Sequence, residues 1–322
     1  MILPVKPMID KSTSLMIRNI KYAKHSLAIS LLMASIVIIS VACNTESSDN
    51  TGTLVVTTIY PLEYFAQRIG GDKVSVTNLL KPGVEAHSFE PTPDDIRKLD
   101  AADVIIYNGS GLEPWVGRAL LAMGNDSNQR LIIETSSELT NENDYTEIDP
   151  HIWLDPLKAI EQVKLIRDSL ISANLEGEDT YTANAENLLT EILSLHQAYS
   201  NGLVKCATTQ FVTSHAAFGH LAKRYGLEQI PISGLSQEVE PGPADLARII
   251  DTALKIGVHY VMVEPIISTS YAETMAWEIN AKLLPLHPLE SLTSEESDRG
   301  EDYFSIMETN MENLKLALEC TA

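Results

Sequence analysis

Between Tyr181 and Ser200 the chain sets Ala185, Leu188, Leu189, Ile192, Leu195 and Tyr199 at intervals of 3, 1, 3, 3 and 4 residues, then stops at Asn201-Gly202. This periodicity predicts one amphipathic helix with a glycine stop. Twenty helical residues span about 30 Å, enough for a stiff connector running beside two lobes. On either side the chain alternates between strand-like and helix-like segments. Before the connector come the β-branched run Leu54 to Thr58, a helical stretch through Tyr64, Phe65 and Ile69, and a turn at Gly70-Gly71. Strand-like Val74 to Val76, helical Asp94 to Leu99 and the apolar run Val104 to Tyr107 follow. After the connector come Phe211 to Thr213, a helix through Phe218 and Leu221, the helix Ala244 to Ile256 and the strand Tyr260 to Val263. Such alternation predicts an α/β fold with mostly parallel sheet. The reading is two α/β lobes, over 54–178 and 203–322, joined by a connector helix over 179–202. Phe304, Met307, Met311, Leu314 and Leu318 mark a final helix whose stripe reads as core packing.

The N-terminus has a separate role. Lys6, Lys11, Arg18, Lys21 and Lys24 precede 17 uncharged residues, Ser26 to Ala42, and the run ends at Ser40-Val41-Ala42-Cys43. A basic region, an apolar region and small residues before a cysteine resemble a bacterial lipoprotein signal. The expectation is a leader over 1–42, lipidation of Cys43 and a polar tether over 43–53, with translation starting at Met1 or Met16. The alternative is a single membrane anchor, since the run approaches the roughly 20 residues that span a bilayer. Both readings place the folded part outside the cytoplasmic membrane, on its outer face or in the periplasm. There Cys206 and Cys320 become either a disulfide or two buried thiols.

With 23 Lys+Arg against 44 Asp+Glu, the 322-residue chain has a formal net charge of −21. That field repels phosphate backbones and concentrates cations, which argues against a nucleic-acid partner. No H-E-x-x-H, G-x-S-x-G, P-loop or dinucleotide-binding motif occurs. Seven histidines follow the leader, in different contexts. His87 sits in Glu85-Ala86-His87-Ser88-Phe89-Glu90-Pro91-Thr92-Pro93, and His151 in Asp149-Pro150-His151-Ile152-Trp153-Leu154-Asp155-Pro156, both proline-bounded. His215 follows the strand ending at Thr213, the end at which open α/β sheets place ligands. His196 and His259 read as structural, and His220 as a helix residue turned away from His215. The intervals of 64 residues between His87, His151 and His215 form no local metal motif, so the residues alone leave ligand and filler roles open.

Taken together, the His87 and His151 segments, Ala102 to Gly109 followed by Leu112-Glu113-Pro114-Trp115, and Thr213-Ser214-His215-Ala216-Ala217-Phe218-Gly219 resemble the TroA-like solute-binding lipoproteins of zinc and manganese ABC importers. The resemblance runs from about Leu54 to Leu318. It implies a monomeric bilobed receptor that holds a metal between its lobes and delivers it to a membrane permease. His87 and His151 would come from the first lobe and His215 from the second. Histidine at the third position points to Zn2+, with Mn2+ as the alternative. Many members place an Asp in the fourth position, whereas Leu286-His287-Pro288-Leu289-Glu290-Ser291-Leu292 is closer to the streptococcal zinc branch. The resemblance therefore implies Glu290 as fourth ligand, with His287 as the alternative. The segment Gly124 to Glu147 is acidic and has no histidine, so the histidine-rich loop of many zinc receptors has no counterpart there. Three imidazoles and one carboxylate would close a four-coordinate site, which carries metal rather than activating water. Affinity is expected to fall as pH drops through about 6. The other functions weighed are an extracellular zinc hydrolase with Glu290 as general base, and a surface adhesin, as described for relatives of this family.

Overall fold

The computed structural model describes residues 52–124, 130–137, 148–236 and 241–321. The leader over 1–42, Cys43 and most of the tether lie outside the described residues, as does much of the Gly124 to Glu147 segment. Among the described residues no helix is long and apolar enough to cross a membrane.

The first sheet is formed by β1 (Thr53–Thr57), β2 (Val74–Asn78), β3 (Val104–Tyr107) and β4 (Leu131–Glu134), all parallel, in the order β2-β1-β3-β4. Its helices are α1 (Tyr60–Gly70), α2 (Pro93–Ala101), α3 (Val116–Ala122) and α4 (Pro156–Ala173). The connector, α5 (Glu178–Gly202), contains the whole stretch Tyr181 to Ser200. Beyond it, β5 (Gln210–Thr213), α6 (Gly219–Arg224), β6 (Glu228–Pro231), α7 (Pro243–Ile256), β7 (Tyr260–Val263), α8 (Ser270–Glu278) and β8 (Lys282–Pro285) build a second parallel sheet, β6-β5-β7-β8. The second sheet repeats the strand order of the first. The helices α9 (Ser294–Arg299) and α10 (Tyr303–Ala317) close the chain.

The connector buries Tyr181, Ala185, Leu188, Ile192, Leu195 and Tyr199 in one apolar core shared by both lobes, with Phe65 and Val104 from the first and Phe211 and Leu221 from the second. Two smaller cores complete the packing, one around Ile105 and Trp115, the other around Val212 and Met275. On α10 the inward face is Tyr303, Ile306, Met307, Asn310 and Leu314. Leu314 and Leu318 keep their expected places, but Phe304 and Met311 are only half-buried. The face turns because it includes Asn310, a buried polar residue that an apolar stripe cannot reveal. Cys206 and Cys320 form a disulfide across an isolated antiparallel bridge, closing the open choice in favour of the bond.

Candidate metal centre

Three of the sequence-identified donors, His87, His215 and Glu290, lie in the loops after β2, β5 and β8, and His151 lies in the segment leading into α4. His87 lies in the loop after β2. That loop is braced by the Glu85 carboxylate, which accepts from the backbone N–H groups of His87 and Ser88 at 2.8 and 2.7 Å. It leads into α2, whose Thr92 N-cap forms a reciprocal capping box with Asp95. His151 precedes a short turn of 3₁₀ helix, Ile152–Leu154, after which Asp155 caps α4 by accepting from Leu157 N–H. His215 stands two residues beyond β5. Its backbone oxygen accepts from Thr213 Oγ1 and Gln229 Nε2, both at 2.7 Å.

Glu290 is carried by the loop after β8, and its approach is more constrained. Leu289 adopts φ +62°, a left-handed conformation that costs a non-glycine residue roughly 1–2 kcal/mol. Contacts from the first lobe hold the loop there. Trp153 Nε1 donates to Pro288 O at 2.7 Å, Tyr60 N–H to Glu290 O at 2.9 Å, and Gly83 N–H to Leu292 O at 2.7 Å.

These elements bring one donor atom from each of His87, His151, His215 and Glu290 within 4.8 Å of one another. Glu290 Oε1 lies 3.2 Å from His151 Nε2, 3.5 Å from His87 Nε2 and 3.8 Å from His215 Nε2, while the Nε2 atoms of His151 and His215 are 3.5 Å apart. A tetrahedral ion with bonds of about 2.0–2.1 Å has donor separations of about 3.3–3.4 Å. The observed separations bracket that value. His87 Nε2 is buried and makes no hydrogen bond, its nearest acceptor being Glu290 Oε1 at 3.5 Å, which is unusual for a polar atom in a protein interior; a metal ion at the centre of the cluster would satisfy it.

Behind the imidazoles stand two carboxylates that the sequence reading did not single out. Asp149 Oδ1 holds His151 Nδ1 at 2.8 Å, and Glu264 holds His215 Nδ1. Both therefore leave Nε2 facing the centre, the arrangement in which a carboxylate fixes the tautomer of a metal-binding histidine. Asp149 was visible inside its proline-bounded motif. Glu264 lies 49 positions from His215, and its only signal is its place directly after β7.

Within the cluster the charged groups shift one another's protonation. Burial pulls the His151 imidazole down, but the carboxylates of Asp149 and Glu290 reverse this and raise its pKa to about 9. Burial likewise opposes protonation of His87, and Glu290 again outweighs it, leaving the pKa raised. Burial pushes Glu290 up, yet the neighbouring His151 and His87 rings hold it well below the usual carboxylate range.

The other described histidines stand apart from the cluster. His287 turns both ring nitrogens elsewhere, to Leu289 N–H and to Glu296. His220 reaches Asp149 O at 2.9 Å, His196 pairs with the Tyr225 hydroxyl, and His259 lies at the surface beside Glu319.

Residues 55–317 match the family model of the periplasmic zinc-uptake complex component A, ZnuA. The chain is 36% identical over 301 residues to the zinc-binding lipoprotein AdcA of Streptococcus pneumoniae, a match covering 89% of this chain and 60% of AdcA. It thus spans about three-fifths of that longer relative. The high-affinity zinc uptake system protein ZnuA of Bacillus subtilis is 36% identical over 306 residues, covering 89% of this chain and 96% of that protein. The crystal structure of the Zn(II)-bound ZnuA-like domain of Streptococcus pneumoniae AdcA superposes with a TM-score of 0.73 at 36% identity, over 83% of this chain and 99% of that one. With almost all of both lobes matched by the family model and by a relative of nearly the same length, the chain belongs to the ZnuA family of zinc-uptake components.

Proposed function

We propose that the protein is an extracytoplasmic receptor that captures Zn2+ between its lobes through His87, His151, His215 and Glu290 and delivers it to the permease of an ABC importer. The observation that carries this reading is the convergence of three imidazoles and one carboxylate oxygen within 4.8 Å of one another in a buried cluster. Three neutral imidazoles and one carboxylate suit zinc better than manganese, whose sites favour oxygen. Four protein donors fill a tetrahedral shell and leave no vertex for a reactive water, which suits carriage rather than hydrolysis. The named relatives are zinc-binding and zinc-uptake proteins. The ion itself would join donors from both lobes, so loading stiffens the molecule into the form presented to the permease.

Domain boundaries at 178/179 and 202/203 and lipidation at Cys43 belong to the same proposal, with the folded receptor a monomer on the outer face of the membrane. A Cys43→Ala chain that still incorporated a fatty-acyl label would exclude that anchor.

The deciding experiment is competitive loading of the purified protein with Zn2+, Mn2+, Ni2+ and Cu2+, read by metal content and titration calorimetry. One tightly bound zinc per chain, not displaced by manganese and lost in a His87→Ala/His215→Ala double variant, supports the receptor. Absence of a tight zinc site, or preference for manganese, overturns it.

A further inference from the structure

His287 is buried three residues before Glu290, yet it does not join the four donors. Leu289 N–H donates to its Nδ1 at 2.8 Å, and its Nε2 lies 3.1 Å from Glu296 Oε2. An amide N–H can only donate, so Nδ1 presents a lone pair and Nε2 carries the proton given to Glu296. Glu296 is fixed in turn by the capping box of α9, where Oε2 accepts from the N–H and hydroxyl of Thr293 at 2.8 and 2.9 Å. The chain of contacts thus runs from a helix cap, through one imidazole, to the amide of the residue at φ +62°.

We infer that His287 is a positioning residue for metal capture: anchored by Glu296, it holds the left-handed turn at Leu289 that aims the Glu290 carboxylate at the three imidazoles. This rests on the proposed role of Glu290 as a zinc ligand. The backbone of His287 is secured independently of its ring, because Asn310 Oδ1 accepts from His287 N–H and Asn310 Nδ2 donates to His287 O, both at 2.8 Å. Removing the imidazole therefore leaves position 287 in place and strands the amide of Leu289, a fully buried residue, without its acceptor. The turn then keeps only the first-lobe contacts of Trp153, Tyr60 and Gly83, which hold the backbone on either side of Leu289, and the aim of the Glu290 carboxylate slackens. Asparagine is the informative replacement, since its side-chain oxygen can accept the N–H two residues on, as in an Asx turn, though it is too short to reach Glu296.

The test compares zinc affinity and the visible spectrum of the Co2+-loaded protein in the unsubstituted chain, His287→Ala, His287→Asn and Glu290→Ala. Losing a partner hydrogen-bonded directly to a metal-binding side chain typically costs about 10–100-fold in metal affinity; His287 acts one step further out, through the Leu289 amide, so a loss of about 10-fold is expected for His287→Ala. Its cobalt spectrum should shift toward that of Glu290→Ala, while His287→Asn recovers most of the affinity and the original spectrum. If His287→Ala does not fold, Glu296→Ala probes the same clamp from its far end, with a smaller loss and the same spectral shift expected. Unchanged affinity and spectrum in His287→Ala, or in Glu296→Ala where that variant is needed, overturns the inference, as does a His287→Asn loss equal to that of alanine. Glu290→Ala binding zinc like the unsubstituted protein would remove the ligand assignment and this inference together; loss in Glu290→Ala with none in His287→Ala removes this inference alone.

Discussion

Asp149 holds His151 twice, through the ring Nδ1 at 2.8 Å and through the backbone N–H at 3.0 Å, both at the same carboxylate oxygen. The second grip fixes where the residue begins and the first fixes which way its ring faces. Gly219 makes room for this, because a Cβ there would lie 2.7 Å from Asp149 Oδ2. Asp149→Ala should therefore weaken zinc binding about 10–100-fold, the usual cost of losing a carboxylate behind a metal-bound histidine. Calorimetric titration checks this, and an unchanged dissociation constant would show that the cluster orients His151 without help.

The metal-free centre is expected to release protons on loading. Because His151 stands near pKa 9 and His87 is also raised, the empty site holds at least one proton at pH 7.5 that zinc must displace. Affinity should thus fall about tenfold per pH unit below about 9 for each proton displaced, so the decline begins well above the pH of about 6 expected from an ordinary histidine. Stability without metal moves the opposite way. A raised imidazole contributes fully below its unfolded value of about 6.5 and loses that contribution as pH climbs through the folded value. The metal-free protein should accordingly lower its melting temperature between about pH 6.5 and 9. Calorimetry in buffers of different ionisation enthalpy counts the protons, and a heat independent of buffer at pH 7.5 would refute the coupled centre.

Much of this architecture was legible in the sequence, and the gaps have a common cause. The connector and the central strands β1, β3, β5 and β7 carry their own apolar signal. Two edge strands, β6 and β8, do not: Glu228-Gln229-Ile230-Pro231 and Lys282-Leu283-Leu284-Pro285 are strands because a neighbour pairs with them, and context of that kind outweighs intrinsic preference. The edge strand β4 does carry an apolar signal of its own, in Leu131-Ile132-Ile133. The site divides in the same way. Proline-bounded loops and a strand end marked His87, His151 and His215, but bringing them together with Glu290 depends on two sheets that converge only in three dimensions. The ligand role of all four donors came from resemblance, and Glu264 from the fold alone.

The disulfide should matter to stability and not to capture. Cys206 and Cys320 close a separation of 114 residues, and removing such a bridge costs about 2–5 kcal/mol, chiefly by freeing the unfolded chain. The bridge precedes β5, whereas His215 follows it, so the bond and the metal cluster lie at opposite ends of that strand. Cys206→Ser/Cys320→Ser should show a lower urea midpoint together with an undiminished zinc stoichiometry. Loss of zinc binding in protein that remains folded would show that the bridge also shapes the site.

Arg224 ties α6 of the second lobe to the first by gripping Asp155, with its Nε 2.9 Å from both carboxylate oxygens and Nη2 2.8 Å from Oδ2. Asp155 is almost fully buried and also caps α4, so removing the guanidinium strands a carboxylate that cannot turn to water. A fully buried pair broken on one side costs about 3–5 kcal/mol; with about a third of the Arg224 side chain exposed, solvent screening brings the expectation for Arg224→Ala to about 2 kcal/mol. Arg224→Lys should fall between, because it keeps the charge and loses the fork. The same helix presents His220 to Asp149 O, so α6 touches the His151 loop at both ends. Weakening the Arg224 clasp should therefore also raise amide exchange across residues 149–155 in the metal-free protein, and zinc should suppress that increase. A urea midpoint and exchange pattern matching the unsubstituted protein would mean that the shared core around α5 alone holds the lobes in register.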